Sequence, residues 1–365
     1  MPECIVVGGG VIGLLTARQL FLEGVDVLLL EKGPLGGESS WAGGGIISPL
    51  YPWRYSDTVN VLAQRSKKFY PDLVEKLLEE TGNDSELITS GLFTVVDEKL
   101  ATRQTILDWA ERWSVDARYI DNKSEISEIE NTVGDAVDKG IWMPDIMQIR
   151  NPKFVTALKA SFDYLGIQYI EHCEVEEILT KNNTASAVRT SQQTYSAEKI
   201  IIASGAWSAQ FGITKSSVNV IPVKGQMIMY SGKPNIVKRI VLSEGHYIIP
   251  RKDGRILAGS TLEKIGFDKT ISSSAHDELH RAAIKLVPLL DDLEIERQWA
   301  GLRPGTEKGI PYICQHDEIE GLYVHAGHFR NGIVLGLASA QLMTDIVLER
   351  EPWCDTRPYG INAPH

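Results

Sequence analysis

Cys4-Ile5-Val6-Val7-Gly8-Gly9-Gly10-Val11-Ile12-Gly13 stands at the head of the chain, and the way these residues fold sets the architecture of the rest of the molecule. The apolar run from Cys4 to Val7 stops abruptly at three glycines. Val11, Ile12, Leu14, Leu15, Leu20 and Phe21 then recur at roughly helical spacing up to a stop at Glu23-Gly24. Val25 to Leu30 is a second strand-like run, closed by Glu31. Strand, helix and strand in this order make a β-α-β unit of the length a parallel sheet requires. Gly8, Gly10 and Gly13 carry a G-x-G-x-x-G pattern within it. Gly8 allows the tight turn, Gly10 lets backbone approach a pyrophosphate, and Gly13 lets helix pack on strand. The helix start offers unpaired N–H groups and a partial positive charge to phosphates. Glu31, eighteen residues after Gly13, is placed to accept hydrogen bonds from a ribose diol and to repel a 2′-phosphate.

Outward from this unit, the Gly/Ser-rich run from Gly36 to Ile46 is either a surface loop or a second close approach of backbone to a ligand. The dinucleotide is NAD or FAD, and the second reading of that run suits FAD, which extends further past its pyrophosphate. A long helix is expected over 57–82, a strand over 88–96 and a helix over 100–113. Asn151-Pro152 reads as a helix start, with Asn as cap and Pro at the first position. Strands are expected next at 167–170, 175–179 and 199–203, the last stopping at Ser204-Gly205. From 217 to 313 the pattern turns to alternating strands (218–230, 247–250, 255–259 and 294–303) broken by one helix at 275–290. A strand at 322–326 and a helix from Gly332 to about Glu349 complete the chain. This interleaving implies a nucleotide-binding domain in discontinuous segments, with a more antiparallel domain inserted between them.

Composition narrows the possibilities. The 365 residues are 43% apolar and 23% charged, a globular balance. A net charge of -11, with no basic stripe, argues against nucleic acid as a partner. The four cysteines contain no CxxC pair and no zinc spacing, so no metal is expected and the chain reads as reduced and intracellular. The most apolar stretch, Gly332 to Leu348, is interrupted by Gln341, Thr344 and Asp345, so no membrane span is expected. Without a recognisable leader the expected location is the cytoplasm.

Two further stretches carry chemistry. Ala300-Gly301-Leu302-Arg303-Pro304-Gly305-Thr306 puts an arginine between Gly and Pro on a strand, suited to bidentate recognition of a carboxylate. Ala326-Gly327-His328-Phe329-Arg330-Asn331-Gly332-Ile333 again runs strand, glycine turn, helix, so a helix dipole faces the electron-rich end of a flavin.

With these motifs the chain resembles the D-amino-acid oxidase family of flavoproteins, and within it the glycine oxidases of the thiamine-biosynthesis type. The resemblance covers nearly the whole chain. It implies an α/β fold in which an FAD-binding Rossmann-like domain (1–48, 151–207 and 317–350) holds an inserted α+β substrate domain (49–150 and 208–316) dominated by an antiparallel sheet. Residues 351–365 remain as a C-terminal tail. For noncovalent FAD it implies Gly8, Gly10, Val11, Ile12 and Gly13 at the turn, with Glu31 and Lys32 at the second strand. It adds Ser39, Ser40, Gly44, Gly45 and Ile46 in the small-residue run, Val175 beside the adenine, and Gly205. His328, Phe329, Arg330, Asn331, Gly332, Ile333 and Val334 complete the set. For substrate it implies Arg303 and Tyr247 on the carboxylate with Arg330 close by, and Ile46 and Leu262 as pocket walls where a familiar relative has methionines. No cysteine stands where sarcosine oxidases attach flavin. The implied reaction is oxidative deamination of glycine or another small amino acid, by hydride transfer from Cα to flavin N5. Its products are an oxo acid, ammonia and, with oxygen as acceptor, hydrogen peroxide. A homo-oligomer is implied as well. The rival readings are a dehydrogenase that passes electrons to a quinone or partner protein, and a non-catalytic FAD-binding regulator.

Overall fold

The protein is described by a computed structural model covering residues 1–96 and 101–365. Leu100, the first residue of the helix expected over 100–113, lies outside the described residues, and the helix itself runs Arg103–Arg112.

Among the described residues, one sheet has six strands in the order Tyr312–Gln315, Leu322–Ala326, Lys199–Ile202, Cys4–Val7, Val27–Leu30, Gln168–Ile170. Every neighbouring pair is parallel except the first. Its central strands are apolar at nearly every position because both faces are covered. Cys4, Val6, Leu29 and Ile201 point into a helical layer, where they join Leu14, Leu62, Tyr70, Phe154 and Leu335. Ile5, Val7, Leu30, Ile200 and Ile202 point the other way, into a core shared with the three-stranded antiparallel sheet Val175–Lys181, Thr184–Thr190, Thr194–Ser196. Period-two alternation thus feeds two cores from one set of strands.

The second large sheet has eight strands in the order Ile295–Gly305, Ile221–Tyr230, Ile256–Gly259, His246–Pro250, Ile240–Ser243, Leu92–Val95, Gly140–Met143, Arg118–Ile120. It is antiparallel apart from the pairing of Ile240–Ser243 with Leu92–Val95. The amphipathic helix Ser273–Leu286 buries Leu279, Ala283 and Leu286 against Ile228, Tyr230, Ile248 and Ile256 on one face. The opposite face packs Met227, Tyr247, Ile249 and Leu257 into a separate core with Ile46, Ile106 and Ile146.

Several elements sit differently from the sequence reading. Helix Asp57–Thr81 packs Val59, Leu62, Tyr70 and Leu77 into the core of the six-stranded sheet, not with the substrate region. Strand Tyr312–Gln315 pairs with Leu322–Ala326, so that sheet gains an edge before residue 317. The tail is docked. Tyr359 is 1% exposed, its hydroxyl donates to the Thr58 carbonyl at 2.8 Å, and His365 stacks on Tyr312. The expected strand 88–96 is divided at Gly91, whose φ of +67° turns the chain, and its halves Ile88–Thr89 and Leu92–Val95 join different sheets. Arg150, not Asn151, is the cap of helix Asn151–Leu165. Asn151 is drawn off to donate from Nδ2 to the Ser40 carbonyl at 2.8 Å.

Candidate active site

A cavity of about 370 Å³ opens between the two large sheets, at the carboxyl ends of Cys4–Val7 and Val27–Leu30. That is where open α/β sheets bind ligands. The glycines divide the work there. Gly8 has φ +113°, and a Cβ on it would lie 2.5 Å from the Ala203 carbonyl oxygen. A Cβ on Gly13 would lie 1.9 Å from the Gly8 oxygen, so Gly13 packs helix against turn and does not itself line the cavity. Gly10, Val11 and Ile12 do line it, and the Val11 N–H donates to Ser40 Oγ at 2.8 Å. Gly10 gives the helix Val11–Leu22 no side-chain cap of its own, so beyond the Val11 N–H bound to Ser40 the first turn keeps donors at the cavity. Glu31 accepts from the Gly9 N–H (2.6 Å) and the Gly33 N–H (2.8 Å), which locks its carboxylate at the cavity edge.

Past Glu31, the Lys32 ammonium sits 3.3 Å from the centroid of the Trp207 ring. Burial lowers its pKa, with Glu38 the leading opposing influence. Val175 and Gly205 line the same end. Ser39, Ser40, Gly44, Gly45 and Ile46 form a wall running towards the other sheet. Gly45 has φ +74° and a Cβ there would lie 2.0 Å from the Ile149 carbonyl oxygen. This wall is held from behind by two residues that no motif announces. Asn151 donates to Ser40, and the buried Arg251 donates to the Gly44 carbonyl at 2.8 Å and to Gln148 Oε1 at 2.7 Å.

The second turn, Gly327 to Asn331, closes the cavity. Phe329, at φ +48°, donates its N–H to the Pro304 carbonyl at 2.9 Å and ties the turn to the strand carrying Arg303. His328 Nε2 meets Ser339 Oγ at 3.0 Å, and burial pushes its pKa down to about 3, so the ring is neutral. Phe329, Arg330, Asn331, Gly332 and Ile333 line the cavity with it. Val334 does not. It is 2% exposed and belongs to the helical core beneath.

The residues present fit FAD. Buried Asn331 Nδ2, His328 Nδ1 and Asn151 Oδ1 have no hydrogen-bond partner among the described residues. Two helix starts without side-chain caps, at Gly10 and Asn331, border the same cavity. Unspent donors at both ends and a locked carboxylate near the middle suit a long ligand with a diol, a pyrophosphate and a polar ring edge.

Arg303, Tyr247 and Arg330 line the same cavity. Arg303 projects inward from strand Ile295–Gly305 and donates to the Thr261 carbonyl (3.1 Å), the Lys224 carbonyl (3.4 Å) and Ser260 Oγ (2.8 Å). Burial lowers its pKa and Arg330 acts in the same direction, while Tyr247, its hydrogen-bonding neighbour, acts against them. Opposite stands Gly225, where a Cβ would lie 2.1 Å from Arg303 Nη2. The acceptors of Arg303 are themselves braced. Thr261 Oγ1 donates to Glu263 Oε1 at 2.6 Å and Gln226 Nε2 donates to the same atom at 2.9 Å. Burial raises the Glu263 carboxyl, but these bonds and Lys224 outweigh it and hold the group below its ordinary value. Gly225, Arg251 and Glu263 escape sequence reading because each acts across strands, with no local pattern to mark it.

Leu262 is the exception among the expected pocket residues. It is 51% exposed and outside the cavity, because Glu263 pairs its backbone with Lys224 and turns the preceding side chain outward. Ile46 remains as wall, joined by Met227.

Among the described residues, no cluster of His, Cys, Asp or Glu would hold a metal ion, and no helix is long and apolar enough to cross a membrane.

Comparison with known proteins agrees with this geometry. The model of the DAO family, described as FAD dependent oxidoreductase, matches residues 3–346. A glycine oxidase of Pseudomonas aeruginosa is 42% identical over 98% of this chain and 97% of its own. The crystal structure of glycine oxidase from Geobacillus kaustophilus superposes with a TM-score of 0.94 at 31% identity, covering 99% of this chain and 98% of that one. A bifunctional protein ThiO/ThiG of Trichormus variabilis is 29% identical over 96% of this chain and 53% of its own. A dinucleotide cradle joined to an arginine-lined pocket, matched along almost its full length, makes this chain a member of the DAO family of FAD-dependent oxidoreductases.

Proposed function

We propose that the protein catalyses the FAD-dependent oxidative deamination of glycine or another small amino acid, such as sarcosine or a small D-amino acid. One observation carries the reading. Arg303, Tyr247 and Arg330 converge on the cavity that begins at Gly8, so a carboxylate clamp and a dinucleotide cradle share one space. Bound FAD supplies the acceptor for the hydride that leaves Cα.

The chain's own part is orientation and charge. Arg303 offers the cavity-facing edge of its guanidinium to the carboxylate, and the Tyr247 hydroxyl shares that oxygen. Arg330 adds a second positive charge. Ile46 and Met227 give the cavity an apolar wall beside Tyr247 and Arg303, suited to a small uncharged side chain. No carboxylate or imidazole is needed as a base when the amine enters neutral and the carbon gives up hydride. The neutral His328 puts no titratable positive charge beside that step. Water then releases the amine from the imino acid, leaving an oxo acid: ammonia from a primary amino acid such as glycine, methylamine from sarcosine. With dioxygen as final acceptor the balance for a primary amino acid is amino acid, oxygen and water to oxo acid, ammonia and peroxide.

The test is an aerobic peroxide assay of the flavin-loaded protein over glycine, sarcosine, D-alanine and D-proline, paired with anaerobic bleaching of the flavin band. Peroxide and bleaching together support the proposal. Bleaching without peroxide transfers the electrons to another acceptor, and a band that persists with every amino acid refutes the proposal.

A further inference from the structure

A second cavity, of about 470 Å³, lies on the same face of the eight-stranded sheet as the substrate clamp. Its position is set by register. Along strand Ile295–Gly305, Arg303 and Gly301 line the first cavity, while Trp299 and Arg297 line the second. On the paired strand Ile221–Tyr230, Met227 opposite Trp299 faces the first cavity and Met229 opposite Arg297 faces the second. The two spaces are successive stations on one surface, separated by the segment Trp41–Gly44. Trp299 Nε1 donates to the Ala42 carbonyl at 3.0 Å, and Gly43 lines both spaces.

The chemistry of this second space is distinct. Trp41 and Trp299 meet edge to face with centroids 5.8 Å apart, and Met229 and Leu257 extend the apolar floor. Four cations border it against the single carboxylate of Asp84. Arg150 and Lys153 are already neutralised by Glu86 and Asp253. Arg251 and Arg297 are in no ion pair among the described residues. The Arg297 guanidinium lies over the Trp41 ring, 4.7 Å from its centroid. Arg251 is spent on Gly44, Gln148 and Ile149 but keeps its charge, burial pushing it down only to about 10. An aromatic floor beside the unpaired Arg297 guanidinium selects a flat, apolar body bearing one anionic group.

We infer that this cavity is a second ligand site, one that takes an aromatic carboxylate between Trp41, Trp299 and the Arg297 guanidinium. An occupant there touches Trp41 and Gly43. The adjoining residues, Gly44 to Ile46, wall the flavin cavity, so occupancy stiffens that wall from outside and slows turnover without competing for Arg303. Binding does not depend on the proposed reaction, although the effect on turnover does.

The experiment is calorimetric titration of the flavin-loaded protein with 2-naphthoate, followed in parallel by tryptophan fluorescence. The expected result is a site whose affinity falls at least tenfold in Arg297→Ala. It should vanish in Thr156→Trp, which fills the cavity without altering its charge, and survive Arg303→Ala. Arg297 lies outside the clamp and its truncation leaves the cavity empty, so uninhibited turnover should be unchanged in Arg297→Ala. A single site that disappears in Arg303→Ala, or a second site indifferent to both Arg297→Ala and Thr156→Trp, overturns the inference. A site lost only in Arg297→Ala and Thr156→Trp supports it, even if no naphthoate binds at the clamp.

Discussion

The cofactor cradle and the proposed substrate clamp lie in one cavity and are built on opposite plans. The cradle is mostly backbone. Gly8, Gly10 and Gly13 work by lacking side chains, and the helix they introduce supplies N–H donors from consecutive residues. The clamp is mostly side chain, gathered from strands far apart in sequence. Arg303 leans on Ser260, Thr261 and Lys224, faces Gly225, and is braced through Thr261 by Glu263. A cradle of this kind is lost by adding atoms, whereas a clamp is lost by removing them.

The contrast makes separable predictions. Arg303→Ala should act most strongly. Losing one partner of a buried, hydrogen-bonded charge pair costs about 2–5 kcal/mol, which is roughly thirtyfold to several thousandfold in KM for carboxylate substrates. Flavin content, read from the visible spectrum, should be unchanged, and an Arg303→Ala enzyme with ordinary KM would remove the clamp from the comparison. Gly225→Ala should come next. Its Cβ would collide with Nη2, and overpacking of about 1–3 kcal/mol should appear as roughly a tenfold rise in KM, again with FAD retained. Steady-state kinetics on the reconstituted variant decides this.

Gly13→Ala tests the other side. The added methyl meets the Gly8 oxygen, so the cost should fall on cofactor affinity and thermal stability, with FAD dissociation about tenfold easier by equilibrium dialysis. The fraction that keeps flavin should show normal KM. A shifted KM with full flavin content would mean that cradle and clamp are not independent.

Glu263→Gln should be the mildest, raising KM about threefold by weakening the brace behind Arg303. Its carboxyl is held below the ordinary value in the folded protein. Its stabilising contribution is therefore complete above the unfolded pKa of about 4.3 and is lost as pH falls through the lower folded value. A pH series of KM should show that acid limb in the parent and lack it in Glu263→Gln.

Legibility in the sequence divides along the same line. Gly8, Glu31 and Gly45 can be read because their roles are local, in a turn, a strand end or a left-handed backbone. Arg303 and Arg330 stand out in turns rich in glycine and proline. Leu262 reads as a pocket wall yet faces solvent, because its direction depends on a backbone pairing of Glu263 with the distant Lys224. Helix Asp57–Thr81 reads as part of the substrate region yet packs on the six-stranded sheet, because amphipathic spacing reports a buried face and not its partner.

By itself the sequence determined the β-α-β unit, the dinucleotide turn and the arginines presented at strand ends, since period and glycine placement act over a few residues. Only the tertiary structure decided that Tyr247, Gly225, Glu263 and Arg303 meet, that Arg251 holds the flavin wall, and that a second cavity lies beyond Trp299. Those meetings depend on strand order and register, and these are fixed by the cooperative burial of whole sheets.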